Sequence, residues 1–329
     1  MAPSISVIIP AFNAEKTISH CLKNIIDETK DFTKEIIVID DCSTDKTFQK
    51  VEEFTNVKIF KLESNRGVGF ARSYGAKVSS HNILVYIDSD VIVLKDSIKF
   101  IVDYLIKEKV GTTGAIQNLE NLNKDVWSSN FVCLKSCYGY DEQSDFIEAS
   151  NIQSEFCAIT KEFLQSVNGW EHYKGAGGEE YALGYRINSA GKKNILIKKA
   201  KYATYYQSLY KRFQRIITRT AKYIGIFFEK KKFDTKGSFA TSSQALSSFF
   251  TGAVILSLIF SIFIKNLYFM TIVLLLFQMY VELDFLKFAK KHFGFKMLSF
   301  SLLGIHVINL GIILGVFYYI IKKFITKSV

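Results

Sequence analysis

Four segments decide the fold of this 329-residue chain: SVIIPAFNAEKTI (6–18), EIIVIDDCSTDKT (35–47), NRGVGFARSYGA (65–76) and YIDSD (86–90). Ser4 to Ile9, Glu35 to Ile39, Val57 to Phe60 and Ile83 to Ile87 are short, rich in β-branched and aromatic residues, and read as strands. Between them apolar residues recur at helical spacing: Ile18, Cys21, Leu22 and Ile25, then Phe48 and Val51, then Ala71 and Val78. Alternation of strand and helix predicts an α/β, Rossmann-like domain, with a parallel sheet covered on both faces. Ligands of such sheets bind beyond the carboxyl ends of the strands.

The residues at those ends are acidic or helix-starting. Asn13, after the first strand, is placed to cap the following helix, with Glu15 in its first turn. Asp40 and Asp41 follow the second strand, and Asp88-Ser89-Asp90 the fourth. Four carboxylates on one edge of a basic protein need a compensating cation or donor groups. In an extended segment residues two apart point the same way. Asp88 and Asp90 can therefore face one hard cation, Mg²⁺ or Mn²⁺, which in turn holds a diphosphate.

In this order and spacing, the four segments resemble family 2 glycosyltransferases of the GT-A fold. The resemblance extends through Asn168-Gly169-Trp170 to Gly178-Glu179-Glu180-Tyr181-Ala182-Leu183-Gly184-Tyr185-Arg186, which is similar to the family's GEDxxLxxR segment. It implies metal-dependent, inverting transfer of a sugar from a UDP- or GDP-linked donor. By position it places Pro10, Ala11, Phe12, Glu15, Asp40, Asp41, Gly67, Arg72 and Ser89 on the donor side. Asp88 and Asp90 would hold the metal, Glu180 would be the general base with Glu179 as the alternative, and Trp170 and Arg186 would lie on the acceptor side.

The chain departs from the family pattern in two places. Glu180 stands where the family has Asp, one methylene longer, and residues 201–206 supply no His as a third metal ligand, which stays unassigned. Glu179 and Glu180 open a helix about 100° apart, so one of them at most points at a given atom. Arg72, similar to the Arg of the family's ARN segment, can neutralise phosphate, pair with Asp88, or be a solvated helix residue. Tyr138, Tyr140 and Trp170 can stack on a sugar or an isoprenoid, or pack in the core. Gly67 and Gly69 lack the third glycine of a dinucleotide fingerprint and follow the wrong strand, which excludes a dehydrogenase.

Beyond residue 240 charged and apolar residues separate. Ala245 to Ile264 is uncharged and would cover about 30 Å as a helix, the thickness of a bilayer core. Two further apolar runs, 267–283 and 298–321, make three expected spans, with a basic link of Lys287, Lys290, Lys291 and Lys296 between them. From Gln207 to Lys232 the apolar residues Leu209, Phe213, Ile216, Ile217, Ile224 and Phe227 recur at helical spacing. Lys211, Arg212, Arg215, Arg219 and Lys222 fall largely on the other side, as in an interfacial helix on an anionic cytoplasmic leaflet. The expected domains are 1–205 (GT-A), 206–240 (amphipathic helix and linker) and 241–329 (transmembrane).

Lys and Arg total 42 against 31 Asp and Glu, a net +11 that favours anionic partners. The cations concentrate beside the spans and no RNA or DNA module is visible, so nucleic acid is not an expected partner. The five cysteines are odd in number and lack zinc spacing, which predicts free thiols. Together these features point to an integral membrane enzyme with a cytoplasmic catalytic domain and a lipid acceptor, a polyprenyl phosphate or a glycolipid. A processive polysaccharide synthase fits less well, because no QxxRW follows Glu180 and three spans are few for a polymer channel. A non-catalytic nucleotide-sugar-binding scaffold is the remaining alternative. Oligomeric state is not encoded in any of these signals.

Overall fold

The computed structural model describes residues 3–124, 126–140, 144–173, 177–230 and 242–327. The chain divides into two compact units, 1–122 with 139–205, and 123–138 with 206–329. Residues 123–138, inside the stretch read as the first domain, thus group with the C-terminal helices.

The first unit runs β1 (Ser4–Ala11), α1 (Ile18–Glu28), β2 (Thr33–Asp40), α2 (Thr47–Glu52), β3 (Val57–Lys61), α3 (Val68–Val78), β4 (Ile83–Ile87), β5 (Val91–Val93), α4 (Ser97–Glu108) and β6 (Thr112–Asn121). After α5 (Ser129–Cys137), which belongs to the second unit, come β7 (Phe146–Ala149), β8 (Phe156–Thr160), α6 (Lys161–Ser166), α7 (Glu179–Ser189) and β9 (Asn194–Thr204). The strands form one sheet in the order β3-β2-β1-β4-β8-β6-β9-β5, with β7 on β9. Pairing is parallel among β3, β2, β1 and β4, as the alternation predicts. Beyond β4 it is mixed, since β8 runs antiparallel to β4 and β6, and β5 antiparallel to β9. The all-parallel expectation fails there, since the neighbour of β4 is the distant β8, which enters antiparallel, and not the next strand in sequence, β5, which pairs with β9.

β1, β2 and β4 are buried on both faces over most of their length, whereas β3, at the edge of the sheet, has no fully buried residue. Ile5, Val7 and Ile9 of β1 join the cluster of Ile18, Cys21, Leu22 and Ile25 from α1, while Ile8 joins Leu84, Tyr86, Trp170 and Leu183. Gly75 lets α3 lie directly on β1, since a Cβ there would sit 2.3 Å from Ile8 Cγ2.

The second unit consists of α5, α8 (Leu209–Lys230), α9 (Ser242–Ser261), α10 (Leu267–Val281) and α11 (Leu283–Lys327), the last broken at Gly294 (φ 74°). Two stretches, Ser243–Ser261 and Leu283–Ile325, are long and apolar enough to cross a membrane. The middle run, at 15 residues, extends only about 22 Å and is shorter than a bilayer core. The basic link is helical, part of α11, where Phe285 packs edge-on against Phe131 and Tyr138 of the α5 segment and Glu282 pairs with Lys135 at 3.0 Å. The apolar side of α8 seats on α11 at two glycines: Phe213 and Ile216 meet Gly311, and Ile217 and Thr220 meet Gly315. Lys211, Gln214, Arg215 and Thr218 remain exposed. Lys231 and Lys232, the end of the stretch read as an interfacial helix, lie outside the described residues.

Candidate active site

The carboxyl ends of β1, β2 and β4 bring three loops together, and their hydrogen bonds begin with backbone groups. Asn13 does not cap α1, which starts at Ile18 behind Thr17. It lies in the left-handed region (φ 50°), its N–H donates to Ser43 Oγ (2.9 Å), and its Oδ1 accepts Thr44 N (2.9 Å). Asx residues tolerate that conformation and trade a cap for a bridge between loops. Glu15 continues the bridge, its N–H donating to Asp45 Oδ2 (3.1 Å) and its Oε2 accepting Lys46 N (3.2 Å). Pro10 and Ala11 end β1, and the Phe12 ring that follows is 49% exposed.

Asp40 and Asp41 part company. Asp41 accepts Arg66 N and Gly67 N, both at 2.8 Å, with its two oxygens, and so ties down the N-terminus of α3. Burial raises its carboxyl above the ordinary value despite those two donors. Asp40 is fully buried; its Oδ1 accepts Ser43 N (2.9 Å), while Oδ2 has no protein partner. Gly67 (φ 89°) makes the turn into α3 that a side chain would strain.

Asp88, Ser89 and Asp90 lie in a turn closed by Val91 N donating to Asp88 O (3.1 Å), which corrects the extended geometry expected of them. The turn is anchored by Asp88 N on Glu155 O (2.9 Å) and by Thr204 Oγ1 on Asp90 O (3.1 Å). Burial, with the charges of Asp90 and Asp88, pushes the neighbouring Cys21 thiol up.

Arg72 is the centre of the arrangement. The residue is 1% exposed, and its side chain donates through Nη2 to Asp88 Oδ1 (2.8 Å) and Ser154 O (3.1 Å), and through Nη1 to Glu179 Oε1 (3.1 Å). Of the readings open for it, the ion pair with Asp88 is the one observed. Burial alone would lower its affinity for the proton, but Asp88 and Glu179 more than offset that. Glu179 also accepts Gly177 N (3.0 Å), and Glu180 accepts Gly178 N (2.9 Å) through Oε2. Both glutamates are buried at the start of α7. Residues 174–176, with Gly175, lie outside the described residues.

Trp170 and Arg186, expected on the acceptor side, are supports instead. Trp170 is 3% exposed, stands edge-on to Tyr86 and carries the Arg72 guanidinium 4.8 Å above its ring. Such burial leaves no face for a sugar. Arg186 spends its donors on the loop bearing that tryptophan, at Val167 O (2.7 Å), Gly169 O and Glu171 Oε1. Tyr138 packs on Phe285 and Phe288, and Tyr140 on the cluster of Ile116, Ile147 and Leu196.

Sequence reasoning missed one group. Glu155 Oε2 accepts Gln117 Nε2 (2.8 Å) and Tyr202 Oη (2.6 Å), beside the backbone that anchors Asp88. Only the antiparallel placement of β8 brings Glu155 there, and no local motif announces it. Among the described residues no cluster of three His, Cys, Asp or Glu side chains forms that could hold a metal ion.

Residues 6–167 match the model for glycosyl transferase family 2. Over 101 residues the chain is 38% identical to the poly(ribitol-phosphate) beta-N-acetylglucosaminyltransferase TarS of Staphylococcus aureus, covering 29% of this chain and 17% of TarS. Over 108 residues it is 31% identical to the Escherichia coli UDP-Glc:alpha-D-GlcNAc-diphosphoundecaprenol beta-1,3-glucosyltransferase WfgD, covering 32% of this chain and 42% of WfgD. The chain thus spans less than half the length of either relative. Among solved structures, the mannosyltransferase PcManGT from Pyrobaculum calidifontis, in complex with GDP-Man and Mn²⁺, superposes with a TM-score of 0.59 at 15% identity. That superposition covers 98% of this chain and 88% of PcManGT. GalNAc-T7 superposes with a TM-score of 0.52 at 20% identity over 62% of this chain and 43% of its own. Residues 6–167 thus form a glycosyl transferase family 2 domain, and the sheet that carries them has the GT-A fold.

Proposed function

We propose that this protein transfers a sugar, with inversion, from a UDP- or GDP-sugar to a membrane lipid acceptor, a polyprenyl phosphate or a glycolipid. The observation that carries this reading is the Arg72 clamp, which joins the carboxylate turn after β4 to the first turn of α7. Those are the two segments that must meet if a diphosphate leaves on one side and an acceptor attacks on the other.

The donor set fits a hard divalent cation. Asp88 and Asp90 would hold Mg²⁺ or Mn²⁺, with phosphate oxygens and water as the other ligands, and its chemistry would be to neutralise the departing diphosphate. Phe12, exposed at the end of β1, offers a face to the base, and the unpartnered Asp40 Oδ2 is an acceptor for a ribose hydroxyl. Arg72 fixes Asp88 and, through Glu179, the N-terminus of α7. Glu179, which accepts Arg72 Nη1 and Gly177 N, positions Arg72, and Glu180, at the place of the family's base in the GEDxxLxxR-like segment, takes the proton when the acceptor is a hydroxyl.

A lipid acceptor is supported by the exposed apolar side chains of α9 and α10, among them Leu256, Phe260, Phe263, Phe269 and Phe277. It is also supported by the undecaprenol-linked acceptor in the name of WfgD. The basic side of α8 favours a cytoplasmic catalytic domain. Transfer by the full chain in lipid, with Mn²⁺ or Mg²⁺ and a panel of UDP- and GDP-sugars, tests the reading. Lipid-linked product that vanishes in Asp90→Asn supports it, whereas donor binding with no turnover on any lipid acceptor favours the scaffold.

A further inference from the structure

A cavity of about 210 Å³ lies between α10 and α11, lined by Leu275, Met279, Leu286, Leu302 and Ile305 and by three polar residues, Gln278, Glu282 and His306. Its volume equals that of about seven waters at ~30 Å³ each, yet most of its wall is hydrocarbon. Met279 and Leu302 are exposed, so the cavity opens on the outer surface of these helices.

The polar wall has a definite hydrogen-bonding character. Gln278 is 3% exposed; its Nε2 donates to Thr251 Oγ1 (2.7 Å), and its Oε1 has no partner. Thr251 Oγ1 also accepts Asn309 Nδ2 (2.9 Å), which fills its lone pairs and leaves its own proton to donate. His306 Nδ1 stands 3.5 Å from both Thr251 Oγ1 and Gln278 Nε2. Facing two donors, Nδ1 is the acceptor, the proton resides on Nε2, and His306 therefore offers a donor to the cavity. Gln278 Oε1 and the Glu282 carboxylate offer acceptors. Lys135 already neutralises Glu282, pairing with its Oε2 at 3.0 Å.

A neutral group that both donates and accepts satisfies this set, and a hydroxyl does so at the end of a chain that the hydrocarbon wall can hold. Phosphate or carboxylate would face two acceptors, and an ammonium has nothing to offer His306. We propose that the cavity binds the hydroxyl end of an aliphatic alcohol, an amphiphile drawn from the membrane. The proposal rests on the reading of α9 to α11 as membrane helices. The alcohol is either a resident lipid or an acceptor of the transfer reaction, two sources of one chemistry.

The test uses the full chain in phosphatidylcholine nanodiscs with a diazirine-bearing dodecanol, beside the matching dodecanoic acid and dodecyl phosphate. Assembly into nanodiscs is scored first; a chain that stays out overturns the membrane reading itself. For a chain that enters, photolabelling by the alcohol is expected on the peptides carrying 275–286 and 302–306, with excess plain dodecanol abolishing it. Gln278→Leu, which removes the unpartnered acceptor, and Leu302→Trp, which fills the space, should each cut labelling by about tenfold. Both are to be compared at equal thermal stability. Recovery of the probe after incubation with donor sugars separates the sources: a glycosylated probe marks the acceptor, an unchanged one a resident lipid. Labelling spread over the exposed faces of α9 and α10 without competition, or equal labelling by the phosphate, overturns the proposal.

Discussion

Arg72 Nη2 lies 2.8 Å from Asp88 Oδ1, and the guanidinium that makes this contact is almost wholly withdrawn from solvent. Glu179 takes its other arm at 3.1 Å. Two carboxylates from distant parts of the chain thus share one buried cation, and removing it takes that cation from both. Arg72→Met is expected to destabilise the first unit by about 3–5 kcal/mol, the usual result of breaking a buried pair from one side. Arg72→Lys should recover part of that stability but little activity, because a point charge reaches one carboxylate at a time. Urea midpoints of the three proteins measure the first effect; equal midpoints would contradict it.

Asp41 should behave as a structural residue. With both oxygens on Arg66 N and Gly67 N, Asp41→Ala leaves two backbone donors unsatisfied at the start of α3, a cost of about 0.5–2 kcal/mol. A drop in thermal stability of that size with only a modest rise in KM for the donor is expected. A normal melting temperature with complete loss of donor binding would assign the carboxylate to the nucleotide instead.

The seat of α8 on α11 can be probed at two glycines. A Cβ at Gly315 would sit 2.6 Å from Thr220 Cβ and 2.7 Å from Ile217 O, whereas at Gly252 the nearest atom, Ile313 Cδ1, is 3.6 Å away. Gly315→Ala should therefore cost about 1–3 kcal/mol through overpacking. Gly252→Ala should be neutral, or stabilising by up to about 1 kcal/mol through helix propensity. Thermal unfolding in detergent compares them, and the reverse order would mean that this packing is wrong.

Acid sensitivity has an identifiable source in Glu35. Burial disfavours its charge, but donors from Lys58, Ser6 and Ser80 more than offset this and hold the carboxyl at about 2 against an ordinary 4.5. The folded state thus gains stability from Glu35 above pH 4.5 and loses it as the pH falls toward about 2. Glu35→Gln should lower stability near neutrality and flatten its decline across that window. Denaturation midpoints at several pH values would show a wild-type slope if another group is responsible.

Legibility in the sequence followed the range of the forces involved. The first four strands and their helices were readable because each buries a periodic face, and the carboxylate loops because they sit at strand ends. The mixed half of the sheet was not readable, since β6, β8 and β9 are joined by pairings between distant residues such as Thr113 with Ala158. The same limit concealed Glu155 and the supporting parts of Trp170 and Arg186, whose partners lie in other elements. Asn13 was misread because its sequence suits a cap and a loop bridge equally, and only Ser43 and Thr44 decide between them. Charge patterning found the helices of the second unit but not that 123–138 packs with them, because α5 is too short and too evenly buried to show a polar face.

The central claim is that Glu180 serves the acceptor while Asp88, Asp90 and Arg72 hold the donor side. Single-turnover transfer from a bound nucleotide sugar to a hydroxyl-bearing lipid, compared between wild type and Glu180→Gln in the same membrane, tests it most directly. The account predicts a rate lower by about 10²–10⁴ with donor affinity unchanged, the contribution of one proton-accepting group. Undiminished transfer in Glu180→Gln, or loss of donor binding in step with the rate, would contradict it.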